Sequence, residues 1–373
     1  MLVGFQSYPF EKLNQLFLSI PKPQNTLNLT IGEPQFQTPQ IILDKFTQNA
    51  HLLNKYPKSS GEEFLQSSQR NFVQKRFGVE LNKSQLISTF GTREVLFNFP
   101  QFFLFGKSHP VIAYPNPFYQ IYEGAAIASN AKSLLMELNA HNGFKPHLEK
   151  QELEQVDLVI LNSPNNPTGV ALNINELSEW VKLALEYNFV ILSDECYSEI
   201  YAKDAPDSIL QASLKAGNPT FKNILSLNSI SKRSSAPGLR SGFIAGDEQI
   251  LKNYAKYRTY IGCAIPLPLQ EAANIAWSDF ENPAATRAIY AKNLQIAQEI
   301  FPQAYVAPYS FYLWLRVGDD LGFSKELFAQ KSIMVLPGSF LGRNGAGEGY
   351  VRIALVYEDS IIRQALQAIK SFI

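Results

Sequence analysis

The stretch LVILNSPNNPTG, residues 158–169, begins with four consecutive aliphatic residues and ends in a loop rich in proline and asparagine. A short apolar run that stops at turn residues is typical of a strand buried on both faces of a sheet. Similar runs lie at residues 111–114, 189–192 and 224–227, and residues 243–246 form another.

Helical patterns separate these predicted strands. The clearest covers residues 175–187, where Leu177, Trp180 and Leu183 recur at helical spacing. Buried strands that alternate with helices predict the α/β class, with a mainly parallel sheet between layers of helices. In such a sheet, ligands bind at the carboxyl ends of the strands.

The last hundred residues have a different pattern. A predicted helix near residues 284–300 precedes predicted strands at 311–316, 333–336 and 350–355, and a closing helix begins at about Asp359. Strands and helices mixed in this way predict a smaller α+β domain.

The composition is that of a folded protein whose partners are small molecules. Of 373 residues, 46% are hydrophobic and 18% are charged, and 33 basic residues balance 33 acidic ones. Because no basic cluster stands out, we expect neither nucleic acid nor a membrane surface as a partner. Cys196 and Cys263 cannot build a disulfide framework, and no cysteine–histidine spacing predicts a metal site. The first residues lack the pattern of a secretory leader, so we expect a cytoplasmic protein.

Polar residues follow two of the predicted strands. Asn166 lies in the loop after residues 158–161, where prolines hold the asparagine amides in a rigid turn. Asp194 ends the strand in FVILSDECY, residues 189–197, where it can pair with a buried cationic nitrogen, and Tyr197 can offer a phenol to the same ligand. A structural turn would also explain the asparagine loop, and a helix N-cap would also explain the aspartate.

A further predicted strand at residues 86–89 and the strand at 111–114 lead into candidate ligand-binding motifs, in LISTFGTRE, residues 86–94, and VIAYPNPFYQIY, residues 111–122. Free N–H groups at a helix N-terminus attract a phosphate, and Gly91 permits close approach. No Gly-Lys-Ser/Thr follows, so this is not a Walker loop. Tyr119 could stack on a heteroaromatic ring. A plain helix cap and a core aromatic residue are the structural alternatives.

A single lysine, Lys232, lies among small hydroxyl residues in SISKRSSAPGLRSG, residues 229–242, and Arg240 follows eight positions later. A phosphorylated aldehyde cofactor needs this combination, because the amine can form a Schiff base while hydroxyls and the guanidinium hold a phosphate. Ordinary surface residues are the alternative. Arg352 interrupts the apolar run YVRIAL, residues 350–355, and its fork suits the carboxylate of a ligand or of a fixed acidic residue.

Taken in their order along the chain, from the loop at Gly91 to Arg352, the motifs resemble those of the class I/II aminotransferases, which are fold-type-I pyridoxal-phosphate enzymes. The resemblance extends over essentially the whole chain. It implies pyridoxal 5'-phosphate as the cofactor, with Lys232 as its Schiff-base anchor and as proton shuttle. Asp194 would pair with the pyridinium nitrogen and keep the ring an electron sink. Tyr197 and Asn166 would bind the phenolic oxygen. Lys232, Asp194 and Tyr197 are thus the implied catalytic residues.

The same resemblance assigns the remaining cofactor contacts. Tyr119 would stack on the ring, with Phe118 as the other candidate. The residues implied to surround the phosphate are Gly91, Thr92, Arg93, Ser229, Ser231 and Arg240.

The resemblance also implies how the substrate and a second subunit are bound. Arg352, Asn166 and the backbone of Gly32 would hold the α-carboxylate of an amino acid or a 2-oxo acid. Family members are usually dimers, and Tyr56, in YPKSSG at residues 56–61, would reach the cofactor phosphate of the neighbouring subunit.

The fold that the resemblance implies has two domains. A large domain with a mostly parallel sheet of seven strands would cover residues 41–275. A smaller α+β domain would combine residues 1–40 and 276–373 from both termini.

Longer runs look like those of N-succinyldiaminopimelate aminotransferases of bacterial lysine and cell-wall biosynthesis. Glutamate would donate the amino group and would leave as 2-oxoglutarate. An aminotransferase of aspartate or aromatic amino acids, or a pyridoxal-phosphate C–S lyase of the same fold, are the alternatives. Phe90 and Ser163 depart from the usual pattern. The runs are YPFEKL at residues 8–13, PNPFYQIYEG at 115–124, SDECYSEIY at 193–201 and KRSSAPGLRSG at 232–242.

Overall fold

The computed structural model describes residues 4–21, 23 and 25–373. The expectation that the chain begins without a leader falls partly on residues 1–3, which lie outside this range. In the described residues no helix is both long enough and apolar enough to cross a membrane.

The chain forms short strands and longer helices, numbered here in chain order. The strands are β1 (Leu27–Asn28), β2 (Leu86–Thr89), β3 (Val111–Asn116), β4 (Lys132–Glu137), β5 (Leu158–Asn162), β6 (Val190–Asp194), β7 (Ile224–Ser229), β8 (Gly242–Gly246), β9 (Tyr312–Arg316), β10 (Ile333–Met334), β11 (Leu336–Pro337) and β12 (Tyr350–Ala354). The helices are α1 (Pro9–Phe17), α2 (Gln40–Asn49), α3 (Glu63–Phe77), α4 (Thr92–Phe103), α5 (Ile121–Ala128), α6 (Lys150–Leu153), α7 (Ile174–Tyr187), α8 (Ile209–Lys215), α9 (Ile230–Arg233), α10 (Glu248–Arg258), α11 (Leu267–Ser278), α12 (Glu281–Ile300), α13 (Asp320–Lys331) and α14 (Asp359–Lys370).

Seven strands form one mostly parallel sheet in the order β2-β8-β7-β6-β5-β3-β4. Only β8 runs antiparallel to its neighbours in this sheet. The α/β prediction is therefore confirmed. Both faces are covered: Val159 and Ile191 belong to the apolar cluster on one face, and Ile160 and Leu192 belong to the cluster on the other. Alternate residues of a strand point to opposite faces, which is why the central strands are apolar throughout.

Helix α7 shows how local sequence fixes an element of this layer. The Asn173 side chain accepts the N–H groups of Asn175 and Glu176, and the Glu176 side chain accepts the N–H of Asn173 in return. This capping box starts the helix one residue before the predicted start. Its apolar side, which includes Trp180, is buried against the sheet.

One strand of the large sheet, β4, was not identified from the sequence, and its apolar run is limited to Leu134, Leu135 and Met136. Strand β4 pairs with β3 at the edge of the sheet, and most of its residues are exposed or half-buried. An edge strand needs little apolar surface, so the sequence between residues 132 and 137 did not predict it.

The remaining strands form two smaller sheets. Strands β11, β12 and β9 make an antiparallel sheet, and β1 pairs with β10 in parallel. The prediction of one strand over residues 333–336 was wrong in detail, because the chain switches from one sheet to the other at Val335. How the chain divides into two domains at residues 41 and 275 stays a prediction.

A buried ion pair ties several elements together behind the loop that follows β2. The Arg258 guanidinium, 1% exposed, donates to both oxygens of Glu94 at 3.2 and 3.0 Å. It also donates to the carbonyls of Ser59, at 2.6 Å, and Ser88, at 2.9 Å. Glu94 in turn accepts the N–H of Phe90 at 3.0 Å. The pair therefore fixes the loop between β2 and α4.

We expect Arg258→Ala to lower the free energy of unfolding by about 3–5 kcal/mol, because it leaves the Glu94 carboxylate buried without its partner. The control is Arg363→Ala, which removes a pair with Glu299 that is about half exposed, and should cost at most about 1 kcal/mol. Urea unfolding of the cofactor-free protein measures both. Equal losses in the two variants would contradict this account of the pair.

Candidate active site

The carboxyl ends of the large sheet's strands open into a cavity of about 750 Å³. Most of the predicted site residues line it, as expected for ligand binding at this edge of a parallel sheet. Gly91 and Tyr56 are not among the lining residues: Gly91 lies behind Arg240, and Tyr56 is fully exposed. The predicted residues that line the cavity are Gly32, Thr92, Arg93, Tyr119, Asn166, Asp194, Tyr197, Ser229, Ser231, Lys232, Arg240 and Arg352.

Lys232 lies in the single turn of helix that follows β7. The Ser229 side chain caps this turn by accepting the N–H of Ser231 at 3.1 Å. The Lys232 amine donates to the carbonyl of Gly32. Burial of the amine lowers the pKa of Lys232 to about 8, and the positive charge of Arg352 acts in the same direction. The fraction of this amine that is neutral near physiological pH is therefore much larger than for an ordinary lysine, and the neutral form is the one that a nucleophile or base requires.

Asp194 lies at the end of β6 with its carboxyl group buried. The Tyr122 hydroxyl donates to Oδ2 at 2.8 Å, and the N–H of Cys196 donates to Oδ1 at 3.3 Å. Burial raises the pKa of Asp194, and the two hydrogen bonds oppose that rise. A cation placed against this carboxyl group would compensate for the burial and favour the ionised form.

The cavity is also lined by two tyrosine hydroxyls and by an asparagine amide that contacts Arg352. The hydroxyls of Tyr197 and Tyr312 are 3.1 Å apart. Arg352 donates through Nη1 to Oδ1 of Asn166 at 2.7 Å, and through Nη2 to the carbonyl of Thr30 at 2.6 Å. Its Nε is buried and has no hydrogen-bond partner among the described residues.

A cradle for an anion lies between β2 and β7. Gly91 precedes α4 with φ +76°, and a Cβ at this position would overlap the guanidinium of Arg240. The hydroxyls of Ser229 and Ser231 are 2.8 Å apart. These two serines and Arg240 line the cavity, whereas Gly91 does not. The N-terminus of α4, the two hydroxyls and the guanidinium together suit a phosphate group.

Tyr119 and Phe118 have different surroundings. Phe118 is buried in the apolar cluster against Tyr114, whereas Tyr119 lines the cavity. The Tyr119 hydroxyl accepts from Nε of Arg93 at 2.7 Å, and the hydroxyl of Tyr8 accepts from Nη2 of the same guanidinium at 3.4 Å. Tyr119 is thus placed to face a ligand, and Arg93 lies against two phenols at the cavity wall.

The cavity carries excess positive charge. Among the described residues, neither Lys232 nor any of the arginines Arg93, Arg240 and Arg352 lies within 4.0 Å of a carboxylate oxygen. The alternative of a fixed acidic partner for Arg352 is thereby excluded within the described residues. Arg352 is buried, and Lys232 and Arg240 are half-buried. Cations withdrawn from water without partners are costly, so this cavity is suited to anionic ligands.

Three site residues escaped the motif analysis: Tyr122, Cys196 and Tyr312. Tyr122 lies in the first turn of α5, whereas Tyr119 precedes that helix, so helical spacing did not link the two tyrosines. Cys196 lies between Asp194 and Tyr197, and its Sγ is 3.0 Å from the hydroxyl oxygen of Thr92. Tyr312 had no local signal, because it lies in an ordinary apolar strand.

Comparison with known proteins gives the class of protein. The family model described as "Aminotransferase class I and II" matches residues 24–369. The chain belongs to this family and is an aminotransferase.

Individual relatives agree with the family. The chain is 30% identical to a putative aminotransferase, AatC, of Rhizobium meliloti, with 98% of this chain and 93% of the relative covered. It is also 30% identical to an LL-diaminopimelate aminotransferase of Natranaerobius thermophilus, with 93% and 92% covered. The structure matches that of aminotransferase AspB from Helicobacter pylori with a TM-score of 0.98 and 51% identity over 99% of both chains. It also matches an aspartate aminotransferase of Thermotoga maritima with a TM-score of 0.87 and 26% identity, over 99% and 97% of the chains.

Class I and II aminotransferases use pyridoxal 5'-phosphate, and the residues present fit this group. Arg240 without a carboxylate, the two serine hydroxyls and Gly91 suit its phosphate. The buried carboxyl of Asp194 suits its ring nitrogen, and the buried amine of Lys232 suits its aldehyde.

The lowered pKa of Lys232 gives a prediction for the cofactor-free protein. Between pH 8 and 10.5 the unfolded state holds a proton on this amine that the folded state lacks, so this group's contribution to stability increases with pH in that window. Below pH 8 the burial cost is fully present and amounts to about 3 kcal/mol. We therefore expect the cofactor-free Lys232→Met variant to be more stable than the wild type at pH 7. We also expect it to lack the increase in stability between pH 8 and 10.5.

Urea unfolding at several pH values measures the effect. Lys252→Met, which changes an exposed lysine on α10, is the control and should leave the pH dependence as in the wild type. A pH dependence that is the same in Lys232→Met and in the wild type would contradict a depressed pKa at Lys232.

Proposed function

We propose that this aminotransferase exchanges amino groups between the glutamate/2-oxoglutarate pair and N-succinyl-LL-diaminopimelate, in lysine and diaminopimelate biosynthesis in the cytoplasm. The observation that carries the reaction is the buried amine of Lys232 between two cations, Arg240 and Arg352, that have no carboxylate partner among the described residues. The substrate rests on the long runs shared with N-succinyldiaminopimelate aminotransferases. It is also supported by relatives whose names give LL-diaminopimelate as their substrate.

Each anion of the reaction has a set of residues that would hold it. Arg240 with Ser229 and Ser231 would bind the cofactor phosphate. Arg352 lines the cavity and would bind the substrate α-carboxylate there, and its bond to Asn166 orients the guanidinium. A charge-assisted bond to a carboxylate is about twice as strong as a neutral one, so this arginine would dominate the orientation of the substrate.

Lys232 would act as the base. When bound, pyridoxal phosphate supplies an electron sink for the carbon that loses its proton. Asp194 would hold the ring nitrogen in its protonated state, and Tyr122 and the N–H of Cys196 hold the Asp194 carboxyl in place. The neutral Lys232 amine would take the proton from the substrate α-carbon. Its carbonyl partner, Gly32, keeps the amine on the substrate side of the cavity.

A half-reaction screen tests the reaction and the substrate together. Purified, cofactor-loaded protein is mixed separately with glutamate, N-succinyl-LL-diaminopimelate, LL-diaminopimelate, aspartate and an aromatic amino acid, and the visible absorption band of the cofactor is followed. We expect conversion with glutamate and with N-succinyl-LL-diaminopimelate at rates at least about tenfold above those with the other amines.

Two results would count against the proposal. Preferred conversion by aspartate would favour the activity named for the Thermotoga maritima relative. Release of an oxo acid from a β-substituted amino acid without any amino acceptor would indicate a C–S lyase. Lys232→Ala is the control and should show no conversion, because it lacks the amine.

We infer that the enzyme is a homodimer in which Tyr56 reaches the cofactor phosphate of the partner subunit. Tyr56 is fully exposed although it is aromatic, and Leu53 nearby is 70% exposed. Large apolar side chains exposed side by side are typical of surfaces that bind another protein. The segment that carries Tyr56 is held by the bond from Arg258 to the Ser59 carbonyl, so the phenol is presented from a fixed loop.

We expect Tyr56→Phe to weaken cofactor binding about 2- to 10-fold, the effect of losing one hydrogen bond, while the protein stays dimeric. Sedimentation gives the mass and equilibrium dialysis gives the dissociation constant of the cofactor. Tyr305→Phe, at another exposed tyrosine, should leave both unchanged. A wild-type protein that sediments as a monomer when loaded with cofactor would contradict the inference.

A further inference from the structure

Tyr312 is a buried tyrosine that contacts two residues of the cavity, Tyr197 and Arg352. It lies in β9, is 3% exposed and lines the cavity. Its hydroxyl is 3.1 Å from the hydroxyl of Tyr197. The centroid of its ring is 4.3 Å from the guanidinium carbon of Arg352. One side chain thus connects the tyrosine on the cofactor side with the arginine on the substrate side.

The register of the small sheet fixes this position. Strand β12 pairs antiparallel with β9, so that Ala354 lies opposite Tyr312 and Arg352 lies opposite Trp314. Residues two apart on a strand share a face, which makes Tyr312 and Arg352 diagonal neighbours on one side of the sheet. A shift of one residue in β9 would turn the Tyr312 ring to the other face and separate it from Arg352.

The segment around Gly32 fits closely against the same hydroxyl. A Cβ at Gly32 would overlap the Tyr312 hydroxyl, so only glycine leaves room for it. The carbonyl of Gly32 accepts the hydrogen bond from Lys232. The Tyr312 hydroxyl therefore also supports the backbone that holds the amine.

Two hydroxyls at hydrogen-bond distance share only one hydrogen. Among the described residues, Tyr197 is the partner of the Tyr312 hydroxyl and Tyr312 is the partner of the Tyr197 hydroxyl. If Tyr312 donates, Tyr197 keeps its own hydrogen for a ligand oxygen in the cavity. In the reverse arrangement Tyr197 spends its hydrogen on Tyr312, and its oxygen could only accept from a ligand.

We propose that Tyr312 is a positioning residue: its hydroxyl donates to Tyr197, so that Tyr197 donates into the cavity, and its ring supports the guanidinium of Arg352. The inference rests on the proposed function, in which Tyr197 faces the phenolic oxygen of the cofactor and Arg352 faces the substrate carboxylate. Tyr312 then couples the alignment of the cofactor to the alignment of the substrate without bonding to either.

Two substitutions at Tyr312 separate the two roles. Tyr312→Phe removes the hydroxyl and keeps the ring. It should raise the pH midpoint of the bound cofactor's visible band by about half to one pH unit, because a bond donated to the ring oxygen favours the high-pH form. It should lower kcat by about 2- to 10-fold and leave KM for glutamate within about twofold. Tyr312→Leu also removes the ring, and should raise KM for glutamate by about 3- to 10-fold.

Tyr290→Phe is the matched control. Tyr290 is fully buried in the same aromatic cluster as Tyr312, and its ring packs on Phe311, but its hydroxyl has no hydrogen-bond partner among the described residues. This variant should leave the pH midpoint, kcat and KM as in the wild type. A Tyr312→Phe enzyme that is indistinguishable from Tyr290→Phe would overturn the proposal. So would an unchanged KM in Tyr312→Leu.

A double-mutant cycle shows whether Tyr312 acts through Tyr197. In the Tyr197→Phe background, Tyr312→Phe should cause no further change in the pH midpoint, because the hydroxyl that it orients is gone. Additive changes would overturn the proposed coupling. Failure of the proposed function is recognised separately, by a wild-type protein that shows no cofactor band or no conversion of that band by glutamate.

Discussion

Positive charge buried without a carboxylate partner is the constraint on which this site depends. Within the described residues, the amine of Lys232 and the guanidinium of Arg352 make hydrogen bonds only to carbonyl and amide oxygens. Such groups reduce the stability of a folded protein, because their lost hydration is only partly replaced. Anions that bind in the cavity restore the missing partners and stabilise the folded state by mass action. The free energy that the partnerless cations cost in folding is therefore recovered when a phosphate and a carboxylate bind.

The fold tolerates these destabilising cations because the apolar strands of the parallel sheet bury a large core on both faces. The same parallel arrangement brings Asp194, at the end of β6, and Ser229, at the end of β7, to one edge. The small sheet adds Arg352 and Tyr312, and the segment at Gly32 lies between the two groups. Since the amine and the arginine come from different sheets, the packing between the sheets decides how a substrate lies relative to the base.

The sequence predicted what depends on local order and missed what depends on contacts between distant segments. The apolar runs identified six of the seven strands of the large sheet, and the polar residue after each strand identified Asp194, Asn166 and Lys232. Strand β4 was missed because its apolar run is only three residues long and most of the strand is exposed or half-buried at the edge of the sheet. Tyr312 was missed because its role follows from the register of β9 with β12, which no local pattern specifies. The contact of Arg93 with Tyr8 likewise joins residues 85 positions apart.

The residues that line the cavity come from two kinds of structural element. The reactive groups follow buried strands, where a change would disturb the core. The opposite wall includes Tyr8 and Phe10 of the N-terminal segment, together with Ile31, and these residues come from loops and from the end of a surface helix. Loops tolerate substitution far better than buried strands do. Two relatives near 30% identity are both named as enzymes that transfer amino groups, and their names give different substrates. A measurement of the reaction class alone therefore leaves the substrate open. Comparing amines of different length tests the cavity wall that contains Tyr8.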